Sequence, residues 1–178
     1  MHTITLEQII TFLLETPLFG DLDAAELSQI VHIMQVKRIR DGHPIFREGD
    51  PGDAWYVLFA GEAEVQKASE FLPSRTIATL GPRACVGEMA ILDHSPRSAT
   101  VVARGDVTVF RFPRDEFEAL LREGNLAAYK LIYEMAKVLA LRGRRTTQQL
   151  TDALNDREDR DRLHRTSVHM VQGHSVSE

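Results

Sequence analysis

The sequence predicts a mainly β domain, a compact sandwich or barrel, with helices before and after it. Between residues 36 and 112, short β-rich segments alternate with clusters of Gly, Pro, Asp and Ser, a pattern typical of all-β folds. The strongest strands, residues 55–59 and 107–112, are rich in aromatic and β-branched residues, which favour a pleated surface. Outside this region apolar residues recur at helical spacing instead.

Two helices are predicted before the β region. Thr5 is a suitable N-cap for the first helix and Pro17 ends it. Its apolar residues at helical spacing are Leu6, Ile9, Ile10, Leu13 and Leu14. The second helix begins near Asp21 or Asp23. Its apolar face comprises Leu27, Ile30, Val31 and Met34. We expect both helices to pack on the β domain.

Two further helices follow the β region. Pro113 begins a short helix that Gly124 interrupts, and a longer helix runs from about Leu126 to at least Leu154. The predicted organisation is therefore a domain over residues 1–124, a long helix over 125–160 and a polar, disordered tail over 161–178. The alternative for the charged segment after Asn155 is that ion pairs four residues apart extend the helix.

Composition excludes several classes of function. The net charge of −5 argues against a broad basic face for duplex DNA. Cys85 is the only cysteine, and the seven histidines show no ligand spacing, so we expect no disulfide, metal or cofactor. The amino terminus lacks a signal-peptide pattern and no apolar run reaches 18 residues, so we expect a cytoplasmic protein without membrane contact. No activated nucleophile or acid–base pair is visible, which indicates a non-enzymatic protein.

The segment from Gly87 to Arg97 is the candidate functional site. Glycine permits close approach of a ligand, and a short helical turn beginning at Glu88 would direct free backbone N–H groups at an anion. Folding back the intervening loop would bring the Arg97 guanidinium towards the same anion, and Glu88 would accept from a sugar hydroxyl. The alternative is a surface Arg–Glu pair on a β-turn.

This segment, residues 87–101, closely resembles the phosphate-binding cassette of cyclic nucleotide-binding domains. Such domains occur in the catabolite activator family, in regulatory subunits of cAMP-dependent kinase and in cyclic nucleotide-gated channels. Residues 46–65 resemble the glycine-punctuated β-roll signature of the same family, and the likeness covers about residues 19–117. The resemblance implies a double-stranded β-helix, or jelly-roll-like β-roll, and a cyclic mononucleotide ligand, cAMP rather than cGMP.

The resemblance also implies roles for individual residues. Arg97 would pair with the equatorial oxygen of the cyclic phosphate, and Glu88, helped by the Gly87 backbone, would accept the ribose 2′-hydroxyl. Backbone N–H groups of Met89 and Ala90 would bind the phosphate. Other predicted contacts are Ser98 and Ala99, which complete the cradle, and Val86, which lines the pocket or simply packs in the core.

In the related bacterial regulators a long helix after the β-roll pairs two subunits and touches the nucleotide base. Residues 126–154 resemble that helix, and the register places Arg142 where cAMP-responsive activators have a base-contacting hydroxyl pair. Arg142 would stack on a purine or hydrogen-bond to guanine, or it is simply a polar residue of the seam or the surface.

Apolar residues of the same helix predict either a parallel homodimer or packing on the chain's own β-roll. They are Leu131, Met135 and Val138. We expect an unknown downstream protein partner and no DNA contact through this chain, because the polar segment after Leu154 is too short for a helix-turn-helix domain. The alternatives are a ligand-free dimerisation scaffold with a vestigial pocket, and the sensor half of a longer transcription regulator.

Overall fold

The computed structural model describes residues 4–68 and 74–172, with side chains through residue 155. The helices are α1 (Leu6–Leu14), α2 (Ala24–Val31), α3 (Met89–Asp93), α4 (Arg114–Arg122) and α5 (Leu126–Gln172), with a 3₁₀ turn at Pro17–Phe19. The strands are β1 (Gln35–Ile39), β2 (Pro44–Phe46), β3 (Ala54–Lys67), β4 (Arg75–Leu80), β5 (Cys85–Val86) and β6 (Thr100–Pro113). This order, helices then strands then helices, confirms the predicted fold class.

The strands form one antiparallel sheet built around two long strands. The order is β1-β6-β3-β4, with β2 also paired to β6 and β5 to β3. Strands β3 and β6, each of 14 residues, pair along most of their length, but the register shifts on either side of Ala60. Gly61 follows with a φ of +86°, and a Cβ there would lie 2.6 Å from the Asp106 carbonyl oxygen. These irregularities bend the paired strands, which lets the sheet curl into a roll.

Alternation along β3 sends its side chains into two separate cores. The first core contains Trp55 and Val57, with Trp55 stacked on Phe112 at a centroid distance of 4.0 Å. Helices α1, α2, α4 and the beginning of α5 cover this core. The second core is the interior of the roll and consists of Ala54, Tyr56, Leu58, Ala63, Val86, Val101, Ala103, Val107 and Val109. It includes Val86, which directly precedes the candidate site in the chain.

The helix starts follow local capping chemistry. Thr5 and Asp23 each cap a helix through a reciprocal capping box, with Gln8 and Glu26 respectively, so both predicted starts are confirmed. Helix α2 ends at Val31, so Met34 lies beyond the helix to which its spacing assigned it.

Helix α5 corrects two expectations. Leu131 and Met135, predicted as part of a dimer seam, are fully buried in the first core of their own chain, which is the alternative that the sequence left open. The helix also continues past residue 160 to Gln172, so the predicted disorder from residue 161 onward is wrong for residues 161–172. Acidic residues spaced four positions before arginines, as at Asp156 and Arg160, favour this continuation. Residues 173–178 of the predicted tail lie outside the described residues.

The chain divides into two units, which do not coincide with the predicted boundary at residue 124. The first compact unit extends to Ala136 and therefore includes the beginning of α5. The second unit begins at Lys137 and is the remainder of that helix. Within the described ranges, no helix combines the length and the apolar character needed to cross a membrane.

Candidate functional site

The candidate site lies between the end of β5 and the beginning of β6. Strand β5 is held by pairing with β3, where Val86 faces Tyr56. The backbone then turns through Gly87 into α3, for which Glu88 is the N-cap residue, and leaves through His94 in the left-handed conformation. The short helical turn predicted after Gly87 is therefore confirmed. We call residues 86–99 the cassette.

Arg97 is the central side chain of the cassette. It is 3% exposed, and its Nη1 donates to the Gly87 carbonyl oxygen at 3.0 Å. Its Nη2 donates to the Ala54 carbonyl oxygen at 2.6 Å and to Asp53 Oδ1 at 3.1 Å. Nε is buried and has no hydrogen-bond partner among the described residues. The guanidinium thus folds back on the loop backbone at Gly87, and its Nε–H remains as one buried donor.

Gly87 is required at its position for two physical reasons. Its φ of +79° lies in the left-handed region, which side chains rarely adopt. A Cβ at this position would also lie 2.5 Å from Arg97 Nη1. The absence of a side chain therefore allows the guanidinium to rest against the loop backbone.

Glu88 lies inside the domain with Arg97. Glu88 is 2% exposed, so the alternative of a surface Arg–Glu pair is wrong. Its carbonyl oxygen accepts from the amides of Ile91 and Leu92, which anchors α3. A buried carboxylate is costly unless hydrogen bonds compensate its lost hydration, so the position of Glu88 points to a polar role inside the domain.

The other predicted contacts divide into a buried group and a rim. Val86 and Ala90 are buried, whereas Met89 and Ser98 are exposed and Ala99 is half-buried. The Ser98 hydroxyl donates to Met89 Sδ at 3.9 Å. The amides of Met89 and Ala90 belong to the first turn of α3, where backbone N–H groups have no acceptor within the helix. Residues 86–90, at one end of the cassette, therefore lie next to residues 97–99 at the other end.

The structure adds a carboxylate that the sequence did not identify. Asp53 Oδ1 accepts from Arg97, and its Oδ2 accepts from Arg111 Nη2 at 2.7 Å. Burial opposes ionisation of Asp53, but the hydrogen bonds and charges of Arg111 and Arg97 outweigh it and lower the pKa of this carboxyl. The pKa of Arg111 is raised for the reciprocal reason, despite its own partial burial. The only sequence signal for this network is the arginine interrupting an apolar strand.

A turn preceding β3 holds the cassette from its other side. The Gly49 amide donates to the Arg97 carbonyl oxygen and the Arg97 amide donates to the Asp50 carbonyl oxygen, both at 2.9 Å. Lys67 Nζ donates to the Ser98 carbonyl oxygen at 2.7 Å and pairs with Glu48. Hydrogen bonds therefore hold the backbone on both sides of the Arg97 side chain.

Arg142 belongs to the second unit and is exposed. Its contact with a nucleotide base stays a prediction.

Comparisons with known proteins match the part of the chain that carries the cassette. The model of the cyclic nucleotide-binding domain family matches residues 36–124. The cyclic AMP receptor protein of Thermus thermophilus is 34% identical over 148 residues, which are 83% of this chain and 66% of that protein. The cAMP-dependent protein kinase regulatory subunit of Aspergillus fumigatus is 40% identical over 110 residues, which are 62% of this chain and 26% of the subunit.

A solved structure shows the same architecture. A cyclic nucleotide-binding domain from Methylobacillus flagellatus superimposes with a TM-score of 0.74 at 27% identity, covering 84% of this chain and 86% of that domain. The curated relatives are longer, since the chain spans only 66% of the Thermus protein and 26% of the Aspergillus subunit. The likeness therefore concerns the domain that carries the cassette.

Proposed function

This chain belongs to the cyclic nucleotide-binding domain family, and we propose that it is a non-enzymatic receptor for a cyclic mononucleotide. The observation that carries this proposal is the buried Arg97 guanidinium, whose Nε has no partner among the described residues. It lies where the Gly87 backbone and the first turn of α3 converge. A single negative charge with several acceptor oxygens, as in a cyclic phosphate, suits that set of donors.

The ligand's orientation follows from the distribution of polar groups. The phosphate would receive hydrogen bonds from Arg97 and from the amides of Met89 and Ala90, and Glu88 would accept from the ribose hydroxyl. The base would then enter the apolar interior formed by the second core. We propose cAMP as the preferred ligand, because guanine carries more polar edge groups to desolvate there. The cAMP named in both curated relatives supports the same choice.

We propose that the receptor is a homodimer paired along α5, through a different face from the one the sequence suggested. Leu131 and Met135 are buried in the first core, so the pairing face must lie on another side of α5. Exposed apolar residues recur at 3–4 spacing in the first unit, namely Leu126, Tyr129 and Tyr133. The same repeat continues in the sequence through Ala136, Ala140, Gly143, Thr147, Leu150 and Leu154. Alternate spacing of three and four residues is the pattern of a coiled-coil seam.

Signal relay would then depend on α5. A ligand shifts an equilibrium only by its different affinity for two arrangements, so nucleotide binding must favour one arrangement of α5 over another. We propose that the helix passes the change to a downstream protein.

The direct test is titration calorimetry of the whole chain with cAMP, cGMP, cCMP and cUMP, with 5′-AMP as the non-cyclic control. We expect binding of at least one cyclic nucleotide, cAMP most tightly. Arg97→Ala should weaken that binding by about 1.5–3 kcal/mol, the range for a hydrogen bond to a charged group. Arg104→Ala is the matched control, because Arg104 lies on the exposed side of β6 against Glu62. No binding at millimolar ligand would leave the scaffold with a vestigial pocket as the better explanation.

A further inference from the structure

Two neighbouring aromatic rings lie beside the Arg97 guanidinium. The Arg97 Cζ atom lies 4.3 Å from the centroid of the Phe46 ring and 5.8 Å from that of Tyr56. The two rings are themselves neighbours, with centroids 5.7 Å apart and planes inclined by 33°. Both distances to the guanidinium are within the roughly 6 Å over which a ring face attracts a cation.

The Phe46 ring also lies next to Gly87, whose carbonyl oxygen accepts a hydrogen bond from Arg97. A Cβ at Gly87 would lie 3.3 Å from Phe46 Cε1 and 2.5 Å from Arg97 Nη1. Ring, glycine and guanidinium therefore occupy one continuous contact. The ring therefore contacts the guanidinium in addition to its hydrogen bonds to Asp53 and Ala54.

A buried cation has lost its hydration, so neighbouring groups must replace the interactions that water would make. Nη1 and Nη2 of Arg97 both have hydrogen-bond acceptors. Hydrogen bonds that lie in the plane of the guanidinium do not prevent that plane from tilting. A ring face 4.3 Å away opposes that tilt and supplies electrostatic attraction in a site from which water is excluded.

We propose that Phe46 is a positioning residue for cyclic nucleotide binding: its ring holds the Arg97 guanidinium in the plane that presents Nε to the cyclic phosphate. The inference rests on the proposed function. Phe46 is the last residue of β2 and only partly buried, and it packs against the second core. Loss of its ring should therefore change the orientation of Arg97 more than the stability of the fold.

The test is a double-mutant cycle on cAMP affinity measured by calorimetry. Phe46→Leu keeps an apolar side chain but removes the ring face, and we expect about a tenfold loss of affinity, the effect of a partly desolvated cation–π contact. Phe46→Tyr keeps the ring and should bind like the wild type. In an Arg97→Ala background, Phe46→Leu should cause no further loss, because the cation that the ring positions is gone.

Phe59→Leu is the matched control, since Phe59 is likewise a partly buried phenylalanine but packs against the first core. Its cAMP affinity should be unchanged. Thermal melting verifies folding, and Phe46→Met replaces Phe46→Leu if the latter does not fold. If Phe46→Leu lowers cAMP affinity equally with and without Arg97, or does not lower it at all, the role of Phe46 is wrong and the proposed function still stands. A wild-type chain that binds no cyclic nucleotide would overturn the proposed function as well.

Discussion

A β-carbon at residue 87 would lie 2.5 Å from Nη1 of Arg97, so the glycine and the arginine share one space. The same residue has a φ of +79°. A substitution here combines backbone strain with displacement of the side chain on which the proposed anion site depends.

Gly87→Ala should therefore lose both stability and binding. The left-handed backbone costs an L-residue roughly 1–2 kcal/mol, and displacement of the guanidinium should weaken cAMP binding by up to the about 1.5–3 kcal/mol expected for Arg97→Ala. Gly42→Ala is a matched control, because Gly42 has a φ of +71° but nothing within 4 Å of an added Cβ. Urea unfolding and calorimetry should show the strain in both variants and the loss of affinity in Gly87→Ala only. Equal affinities in the two variants would contradict the shared space.

Ionisation of Asp53 should make the free energy of unfolding depend on pH in the acidic range. Its folded pKa is lowered, so its ion pairs stabilise the fold above the ordinary carboxyl pKa of about 3.9 and are lost as the pH falls through the lower, folded value. Asp53→Asn should remove this contribution, and its unfolding free energy should fall less steeply below about pH 4. Asp21→Asn, at an exposed position, serves as the control. Denaturation across pH 2–6 measures the effect, and parallel curves for wild type and Asp53→Asn would refute it.

Lys67 should influence the cassette without touching its arginine side chain. Because Lys67 Nζ donates to the Ser98 carbonyl oxygen and pairs with Glu48, Lys67→Met should loosen the segment that follows Arg97. We expect a few-fold decrease in cAMP affinity that diminishes at high salt, since the ion pair is partly exposed. Lys37→Met, on exposed β1, should leave affinity unchanged. A salt-independent loss would indicate a different cause.

The two faces of α5 should respond differently to substitution. Leu131→Ala should destabilise the fold by about 2–5 kcal/mol, because Leu131 is fully buried in the first core. Tyr129→Glu should lower the unfolding midpoint of the monomer only slightly, through loss of the hydrogen bond from its hydroxyl to the Leu121 carbonyl oxygen. It should nevertheless dissociate the proposed dimer, since Tyr129 is 53% exposed. Light scattering at several protein concentrations separates the two effects. A Tyr129→Glu chain that remains dimeric would move the interface to another surface.

Features that depend on neighbours in the chain could be predicted from the sequence. The caps at Thr5 and Asp23 and the helical turn after Gly87 are local, because a few adjacent residues satisfy the backbone groups involved. Only a short loop separates Gly87 from Arg97, so the sequence could place the guanidinium near the start of α3, whereas its hydrogen bond to the Gly87 carbonyl oxygen came from the structure. The continuation of α5 was a balance between charge pairing and fraying that local pattern left open.

Contacts between distant segments came only from the tertiary structure. Asp53 meets Arg97 and Arg111 because β3 and β6 pair, and Phe46 reaches the guanidinium because β2 closes the roll beside them. In α5, two sets of residues both have apolar spacing, and periodicity cannot say which set a core will cover. Docking of the helix on the first core buried Leu131 and left Tyr129 exposed, since a helix can bury only the face that meets its neighbours.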